Sequence, residues 1–387
     1  MTEERTPARV AFVGCGYVAD FYAMAWPNAA GRLELSGVVD RDRERQDSFA
    51  RHHGLRAYDS PCAMLADPEI DIVANLTNPS EHEAVSRAAL EHGKHVYTEK
   101  PLAMTMEGAR GLLELADAQG LRISSAPSSL LGEAAQTLWR AVRNGVAGRP
   151  LLVYAALDDG MIHRLGCENW RSSAGTPWPA TDEFATGCTI EHTGYALSWL
   201  CAMFGRVERM VSAGALLVTD KGSATPRNYA TPDVTIGVLY FESGVVARIT
   251  NSIIAPHDHR MQIFCEDGEL RLDELWDFHS PIVYEPLLDN RWERAVHRLS
   301  GYRRRRTLRP ARRVPVRSAP KAARMDFTRG LVDLADAIQG VGPQRLTNAL
   351  ALHVTEVTLA LQYPEDYGTD YRPTTDCGPI EPMPWAL

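Results

Sequence analysis

The sequence predicts an α/β protein in two parts. Residues 1–127 are expected to form a doubly wound parallel sheet, and residues 128–387 a second α/β domain with a large, mainly antiparallel, open-faced sheet. Three observations carry this. An apolar run, Ala8–Val13, leads straight into Gly14-Cys15-Gly16-Tyr17-Val18-Ala19. Apolar runs and helical patterns then alternate as far as Ser125, the grammar of βαβ units. Beyond Pro127 the pattern changes to strands of alternating polarity joined by turn signals such as Glu242-Ser243-Gly244 and Asp267-Gly268, so neighbours there are expected to be antiparallel.

The first strand and its turn read G-x-G-x-x-A. Two glycines permit a tight turn and close approach of a pyrophosphate, Ala19 permits tight packing of a helix reaching residue 30, and free N–H groups at the helix start suit phosphate oxygens. This is the fingerprint of a Rossmann domain, with Gly14, Cys15, Gly16, Tyr17 and Val18 at a dinucleotide. The second strand, Leu33–Val39, ends in Asp40. A carboxylate there accepts from a ribose 2′-hydroxyl and repels a 2′-phosphate, which favours NAD; Arg41 and Arg43 beside it keep NADP open.

Residues 70–76 read as a buried parallel strand ending in Thr77-Asn78-Pro79-Ser80, and residues 81–92 as a helix stopped by Gly93. Next comes His95 to Leu102, HVYTEKPL, where a β-like run ends in Glu99-Lys100-Pro101. Pro101 biases Lys100 toward extended backbone, which holds the lysine at the carboxyl end of its strand, where open α/β sheets bind ligands. A helix over 104–119 and a strand over 121–125 close the unit. In the second part a helix is expected over 133–146, and strands over 151–157, 207–218, 234–241, 245–254, 261–265 and 270–272. A further helix spans 189–203, and two closing helices span 326–339 and 346–361.

The chain has 387 residues, 45% of them apolar and 23% charged, ample for two hydrophobic cores. No uncharged run approaches membrane-spanning length, and MTEERTPARV lacks the apolar centre of a signal peptide, so a cytoplasmic protein is expected. Seven scattered cysteines without a Cys-x-x-Cys pair point to neither a disulfide framework nor a zinc site. The net charge of −8 hides residues 291–324, where thirteen Arg or Lys face the single acid Glu293. That run lacks the aromatic interleaving of a single-strand binder, so no nucleic acid is expected, and the segment reads as an exposed or inter-subunit loop or arm.

GCGYVA, Asp40, LTNPSEH and HVYTEKPLAMT, followed by a mainly antiparallel domain, together resemble the glucose-fructose oxidoreductase, inositol dehydrogenase and rhizopine-catabolism family, Gfo/Idh/MocA. The resemblance is specific over 8–126 and architectural over 150–362. It implies hydride transfer between a nicotinamide dinucleotide and a secondary hydroxyl or ketone of a sugar, glycoside or cyclitol. It makes Lys100 catalytic, has Glu99 position the lysine or the cofactor, and puts Thr77, Asn78, Pro79 and His82 at the cofactor. It also implies a homodimer or homotetramer through the C-terminal sheet. The family's second signature, a Gly-led helix with Asp, His and Asp, aligns with Gly187 to Ser198. Here Glu191 stands for the first Asp, Tyr195 for the His and Ser198 for the last Asp. The glucose-fructose oxidoreductase and dihydrodiol dehydrogenase branches look similar at this point and use a tyrosine.

The chemistry needs such a group. Oxidising a secondary alcohol requires the hydroxyl proton to leave as hydride moves, so a base must stand within hydrogen-bond reach. A phenol with a pKa of about 10 is poor unaided, and the ammonium of Lys100 is expected to lower it. Glu191 and Tyr195, four residues apart, share a helix face; Tyr195 is the first choice and His192 the reserve. Trp170 and Trp178 either stack on a sugar face or anchor their loop, and Asp182 and Glu183 can accept from hydroxyls. His257, Asp258 and His259 lack a further ligand pair, so no metal is expected and they read as polar contacts at the cleft. Two other activities stay open: glycoside cleavage by oxidation, elimination and reduction without net NAD consumption, and non-catalytic sensing of NAD or sugar.

Overall fold

The fold is described from a computed structural model covering residues 6–288, 290–301, 304–310, 312 and 324–387. The N-terminal run becomes β1 (Ala8–Val13), followed by α1 (Tyr17–Ala25), β2 (Leu33–Val39), α2 (Arg43–His53), α3 (Pro61–Leu65), β3 (Ile72–Asn75), α4 (His82–Glu91), β4 (His95–Thr98), α5 (Met106–Ala118) and β5 (Ile123–Ser125). The strands form one parallel sheet in the order β2-β1-β3-β4-β5. Chain order reverses between β1 and β3, so the crevice beyond their carboxyl ends is where a ligand fits. Gly14 follows β1, Thr77 follows β3 and Lys100 follows β4 at this edge. Side-chain caps start the helices: Asp42 accepts from the Arg45 N–H at 3.1 Å and Thr105 from Gly108 at 3.1 Å.

The second part contains α6 (Glu133–Arg143), β6 (Pro150–Asp158), α7 (Ala180–Thr186), α8 (Cys188–Phe204), β7 (Val207–Ala215), β8 (Val234–Phe241), β9 (Val246–Ser252), β10 (Met261–Cys265), β11 (Gly268–Leu272), β12 (Val283–Pro286), α9 (Arg291–Ser300), β13 (Arg306–Thr307), α10 (Arg329–Ile338), α11 (Asn348–Gln362) and β14 (Asp370–Tyr371). Nine strands pair in the order β13-β12-β11-β10-β6-β9-β8-β7-β14. Period two sorts the faces: Thr235, Gly237, Leu239 and Phe241 of β8 point inward beneath α8 and α11, while Ile236 is 48% exposed on the outer face. On that outer face the Arg248 guanidinium lies 3.9 Å from the Tyr154 ring centroid, and Tyr154 meets Phe264 edge-on.

Several expectations need correcting. Strands joined by tight turns are antiparallel, but β6 and β9 at the sheet centre pair in parallel, because residues 159–245 run between them and free them from hairpin geometry. The loop containing Trp170 and Trp178 ends in the helix α7, whose first turn carries Asp182 and Glu183. The basic segment opens not as a loop but as α9, capped by Asn290 and closed by Gly301 at φ 68°. Residues 302–303, 311 and 313–323 of that segment lie outside the described residues.

The apolar core runs unbroken between the two sheets. One cluster joins Phe12, Tyr22 and Tyr97 of the first part to Leu131, Leu138, Trp199 and Leu361 of the second. The closing helices cause this, since α10 packs on β4 and β5, and α11 on α5 and β5. A side chain at Gly330 of α10 would place its Cβ 2.4 Å from the Tyr97 hydroxyl, so only glycine permits the approach. Ser124 and Gln344 add hydrogen bonds, Ser124 Oγ to Leu346 O at 2.8 Å and Gln344 Nε2 to Ile123 O at 2.6 Å.

Candidate active site

Gly14 has φ +95°, and a Cβ there would stand 2.7 Å from the carbonyl of Leu76, so the turn between β1 and α1 needs glycine. The N-terminus of α1 begins at Gly16 without a side-chain cap, and Ala19 is fully buried behind it. Cys15 N–H donates to Asp40 Oδ2 at 2.8 Å and Asp42 N–H to Oδ1 at 2.8 Å, so Asp40 braces the glycine turn. A cavity of about 210 Å³ lies against Gly14, Gly16, Asp40, Arg41 and Arg45, with Met64 and Val85 on its apolar side. Arg41 is exposed and reaches Glu81 at 3.4 Å.

A second cavity, about 690 Å³, continues from Gly16, Tyr17 and Val18 past Thr77, Asn78 and Pro79 to Lys100. Its far wall carries Glu183, Glu191, His192, Tyr195, Trp170 and Trp178. Lys100 forms an ion pair with Glu191 across it. Glu99 stands behind: it accepts from Tyr22 OH at 2.6 Å and from the Lys100 N–H at 3.1 Å, fixing the strand end to α1. His82 is fully buried, its Nδ1 2.7 Å from Pro101 O and its Nε2 3.0 Å from Thr77 O. It therefore ties two strand ends together rather than offering a free nitrogen to the cavity.

Electrostatics separate the candidates. Burial works against the Lys100 ammonium, but Glu191, with Tyr195, Glu183 and Glu99, outweighs it and raises Lys100 above the usual lysine range. Tyr195 departs from expectation. Burial pushes its hydroxyl far above the phenol range, the pull of Lys100 is overcome, and the nearby glutamates add to the rise, so Tyr195 is a neutral donor. Burial likewise raises Glu183, with Glu191 adding to it, and holds His192 below its ordinary value against the pull of Asp159. Ser198 is buried with its hydroxyl unpaired and faces away from this cavity, beside Pro101 and Pro127.

The segment after β6 closes over the cleft. Ser173 Oγ donates to Asp20 Oδ1 at 2.9 Å, its N–H donates to Oδ2, and His53 Nε2 lies 2.6 Å from Oδ1. Asn78 donates to Asp182. Trp170 and Trp178 sit with centroids 5.2 Å apart and share a small apolar cluster with Cys167 and Phe184, which anchors the loop while leaving both indoles at the cavity wall.

Sequence reasoning missed Asp159, Glu274 and Trp276. Asp159 stands 3.2 Å from His192 Nε2 and 3.1 Å from His259 Nε2. Trp276 packs on Tyr195, His192 and His259 at centroid distances of 5.2, 5.5 and 4.2 Å. Burial opposes charge on His259, but Asp159 and Glu274 outweigh it and raise the ring to about 9. An acid at a strand end followed by glycine, as in Asp159-Gly160, was the one available signal; Glu274 and Trp276 carried none.

Comparison with known proteins now bears on this geometry. Residues 8–126 match the model of an oxidoreductase family with an NAD-binding Rossmann fold, and residues 135–271 match the GFO/IDH/MocA C-terminal domain. The chain belongs to the Gfo/Idh/MocA oxidoreductase family. Similar Gfo/Idh/MocA proteins include an inositol 2-dehydrogenase/D-chiro-inositol 3-dehydrogenase of Lacticaseibacillus casei, 24% identical over 68% of this chain and 72% of that protein. A D-glucoside 3-dehydrogenase of Escherichia coli is 31% identical over 43% of this chain and 46% of its own. In fold, the WlbA dehydrogenase from Bordetella pertussis in complex with NADH and UDP-GlcNAcA superposes with a TM-score of 0.71 at 17% identity, covering 96% of this chain and 99% of that one. The N-terminal part is thus the NAD-binding domain of a Gfo/Idh/MocA oxidoreductase. Among the described residues, no helix is long and apolar enough to cross a membrane.

Proposed function

We propose that the protein is a cytoplasmic NAD(P)-dependent dehydrogenase or reductase acting on a secondary hydroxyl or ketone of a sugar, glycoside or cyclitol. Residues 1–127 hold the cofactor; residues 128–387 hold the substrate and, through the outer face of the nine-stranded sheet, a second copy of the chain. One observation carries the reading: Lys100, fixed at a strand end, meets Glu191 across a cavity that also opens on the glycine turn and on Tyr195. The dinucleotide fits the cavity that Gly14 and Gly16 line, with Asp40, Arg41, Thr77, Asn78 and Pro79 along its length. When bound, it supplies the hydride or accepts it.

The remaining chemistry belongs to the chain's own side chains. In reduction, the Lys100 ammonium and the neutral Tyr195 hydroxyl both donate to the substrate oxygen as it becomes an alkoxide, and either can protonate it. In oxidation, the substrate proton passes through Lys100 to the Glu191 carboxylate, the hydrogen-bonded acceptor present. Trp170 and Trp178 offer apolar faces to a ring, and Asp182, tied to Asn78, links the substrate loop to the cofactor side.

A second reading draws on Glu183. It is a half-buried acid in the same cavity, additional to those that hydride transfer uses, and a protonated Glu183 would serve as donor to a departing glycosidic oxygen. To test both readings, purified protein is incubated with NAD or NADP and a panel of sugars, inositols and aryl glycosides, following nicotinamide absorbance and aryl release. Absorbance change is the expected result. Release without net NADH favours the glycoside-cleaving reading, and silence in both with intact cofactor binding overturns catalysis in favour of sensing.

A further inference from the structure

We propose that Asp159, His257 and His259 form a binding site for one divalent transition metal of the zinc or cobalt type at the margin of the substrate cavity. The backbone builds the site first. Asp158 and Asp258 exchange two hydrogen bonds, Asp158 N–H to Asp258 O at 3.0 Å and Asp258 N–H to Asp158 O at 2.8 Å. This pins the loop between β9 and β10 beside the end of β6, and residues two apart on an extended loop point the same way. The rings of His257 and His259 consequently stand 4.2 Å apart, next to Asp159.

Two distances and one shared partner point to a cation. His259 Nε2 lies 3.1 Å and His257 Nδ1 3.8 Å from the same oxygen, Asp159 Oδ1. Ligand atoms about 2.0–2.1 Å from one tetrahedral ion stand roughly 3.4 Å from one another, and the observed values bracket that spacing. The opposite nitrogen of each ring is held by a single carboxylate: His259 Nδ1 is 3.1 Å from Glu274 Oε1, and His257 Nε2 is 3.1 Å from Glu274 Oε2. With both of those nitrogens donating to Glu274, a metal that displaces the proton His259 shares with Asp159 meets a lone pair on each of the two nitrogens facing Asp159, the carboxylate–histidine–metal arrangement.

The polar inventory agrees. His259 is fully buried, and its Nε2 faces Asp159 Oδ1 without an aligned hydrogen bond, while the other oxygen of Asp159, Oδ2, lies 3.2 Å from His192 Nε2. A cation at the convergence point takes the His259 nitrogen and offsets the two carboxylates. Two nitrogens and one oxygen leave an open position. His257, with 58% of its side chain exposed, lines the same cavity as Tyr195 and Lys100, as does Glu274, so that position faces substrate. On the proposed dehydrogenase reading, it takes a hydroxyl or carboxylate oxygen of the substrate; metal binding itself does not depend on that reading.

The test uses full-length protein stripped with EDTA and titrated with Co²⁺, then with Zn²⁺ as competitor. The expected result is one equivalent of cobalt with the intense visible bands of tetrahedral coordination, displaced by zinc. Asp159→Asn and His257→Gln should abolish the bands, and Glu274→Gln, which touches only the outer nitrogens, should weaken affinity roughly 10–100-fold. No stoichiometric uptake by the wild-type chain overturns the proposal, as does uptake that survives Asp159→Asn and His257→Gln. Melting curves of each variant separate lost ligation from lost folding, and the half-exposed His257 makes that substitution the one least able to disturb packing. The readout needs no turnover, so a silent substrate panel leaves it standing.

Discussion

At the scale of single residues, Lys100 and Tyr195 bear the functional argument. Lys100→Ala should leave NAD affinity within about twofold by fluorescence titration and lower kcat roughly 10²–10⁴-fold, the usual worth of a positioned proton donor. Unchanged turnover would remove Lys100 from its role. Tyr195→Phe keeps the ring packed on Trp276 and removes only the donor, so a large kcat loss with little change in melting temperature is expected. A larger loss for His192→Ala would move the role to His192. Elsewhere, a hydrogen-bonded chain governs acid stability. The Val207 N–H donates to His353 Nε2 at 2.9 Å, His353 Nδ1 meets Thr375 Oγ1 at 2.9 Å, and that hydroxyl donates to Glu356 Oε2 at 2.6 Å. Burial holds His353 down to about 4; burial pushes Glu356 up, but hydrogen bonds from Thr375, Thr374 and Tyr371 outweigh it and hold the carboxylate at about 2. Both values are depressed in the folded chain. The stability they contribute is present above the unfolded values of 6.5 and 4.5 and is lost as pH falls toward 4 and then 2. Glu356→Gln should flatten the lower part of that decline in melts recorded against pH.

Elements explain what the sequence made legible and what it did not. Strand, glycine turn, helix and the strand-end lysine could be read because each is specified within a few residues: Gly14 by its turn, Lys100 by the proline after it. Asp159, Glu274 and Trp276 could not, because their meaning arises from β6 lying parallel to β9 beside the loop that carries His257 and His259, a pairing with no local signature. The same distance between cause and effect hid the environment of Tyr195, where burial overrides the neighbouring ammonium. The strap between β6 and α7 is a further element of this kind. Asp20 receives Ser173 and His53, so Asp20→Ala should loosen the cover over the cofactor and raise KM several-fold with kcat less affected. An unchanged KM would mean that the Trp170–Trp178 cluster holds the loop alone.

For the molecule as a whole, the stability argument centres on buried polar contacts between distant segments. Lys221 and Asp233 are both fully buried, with Nζ 2.6 Å from Oδ1, and Asp233 also accepts from Tyr229 OH and the N–H groups of Leu217 and Val218. Asp233→Ala leaves the ammonium without its counter-ion and should cost about 3–5 kcal/mol in denaturant unfolding. A loss below about 1 kcal/mol would show that water reaches the site. On the outer sheet face, Ile236→Glu should shift the chain toward monomer in sedimentation if a second copy covers that face.

The unbroken core between the sheets bears on how such a chain can be cut or recombined. Residues 324–362 return to cover β4 and β5, and Gly330 is fitted against Tyr97, so the cofactor-binding half is not a portable cassette. A fragment ending at Pro127 would present a bare apolar sheet face to water. In gene fusions or circular permutants, that fragment should travel only with the closing helices, and exchanges of specificity with relatives should be made within the strap and the β9–β10 loop rather than at the apparent border between halves.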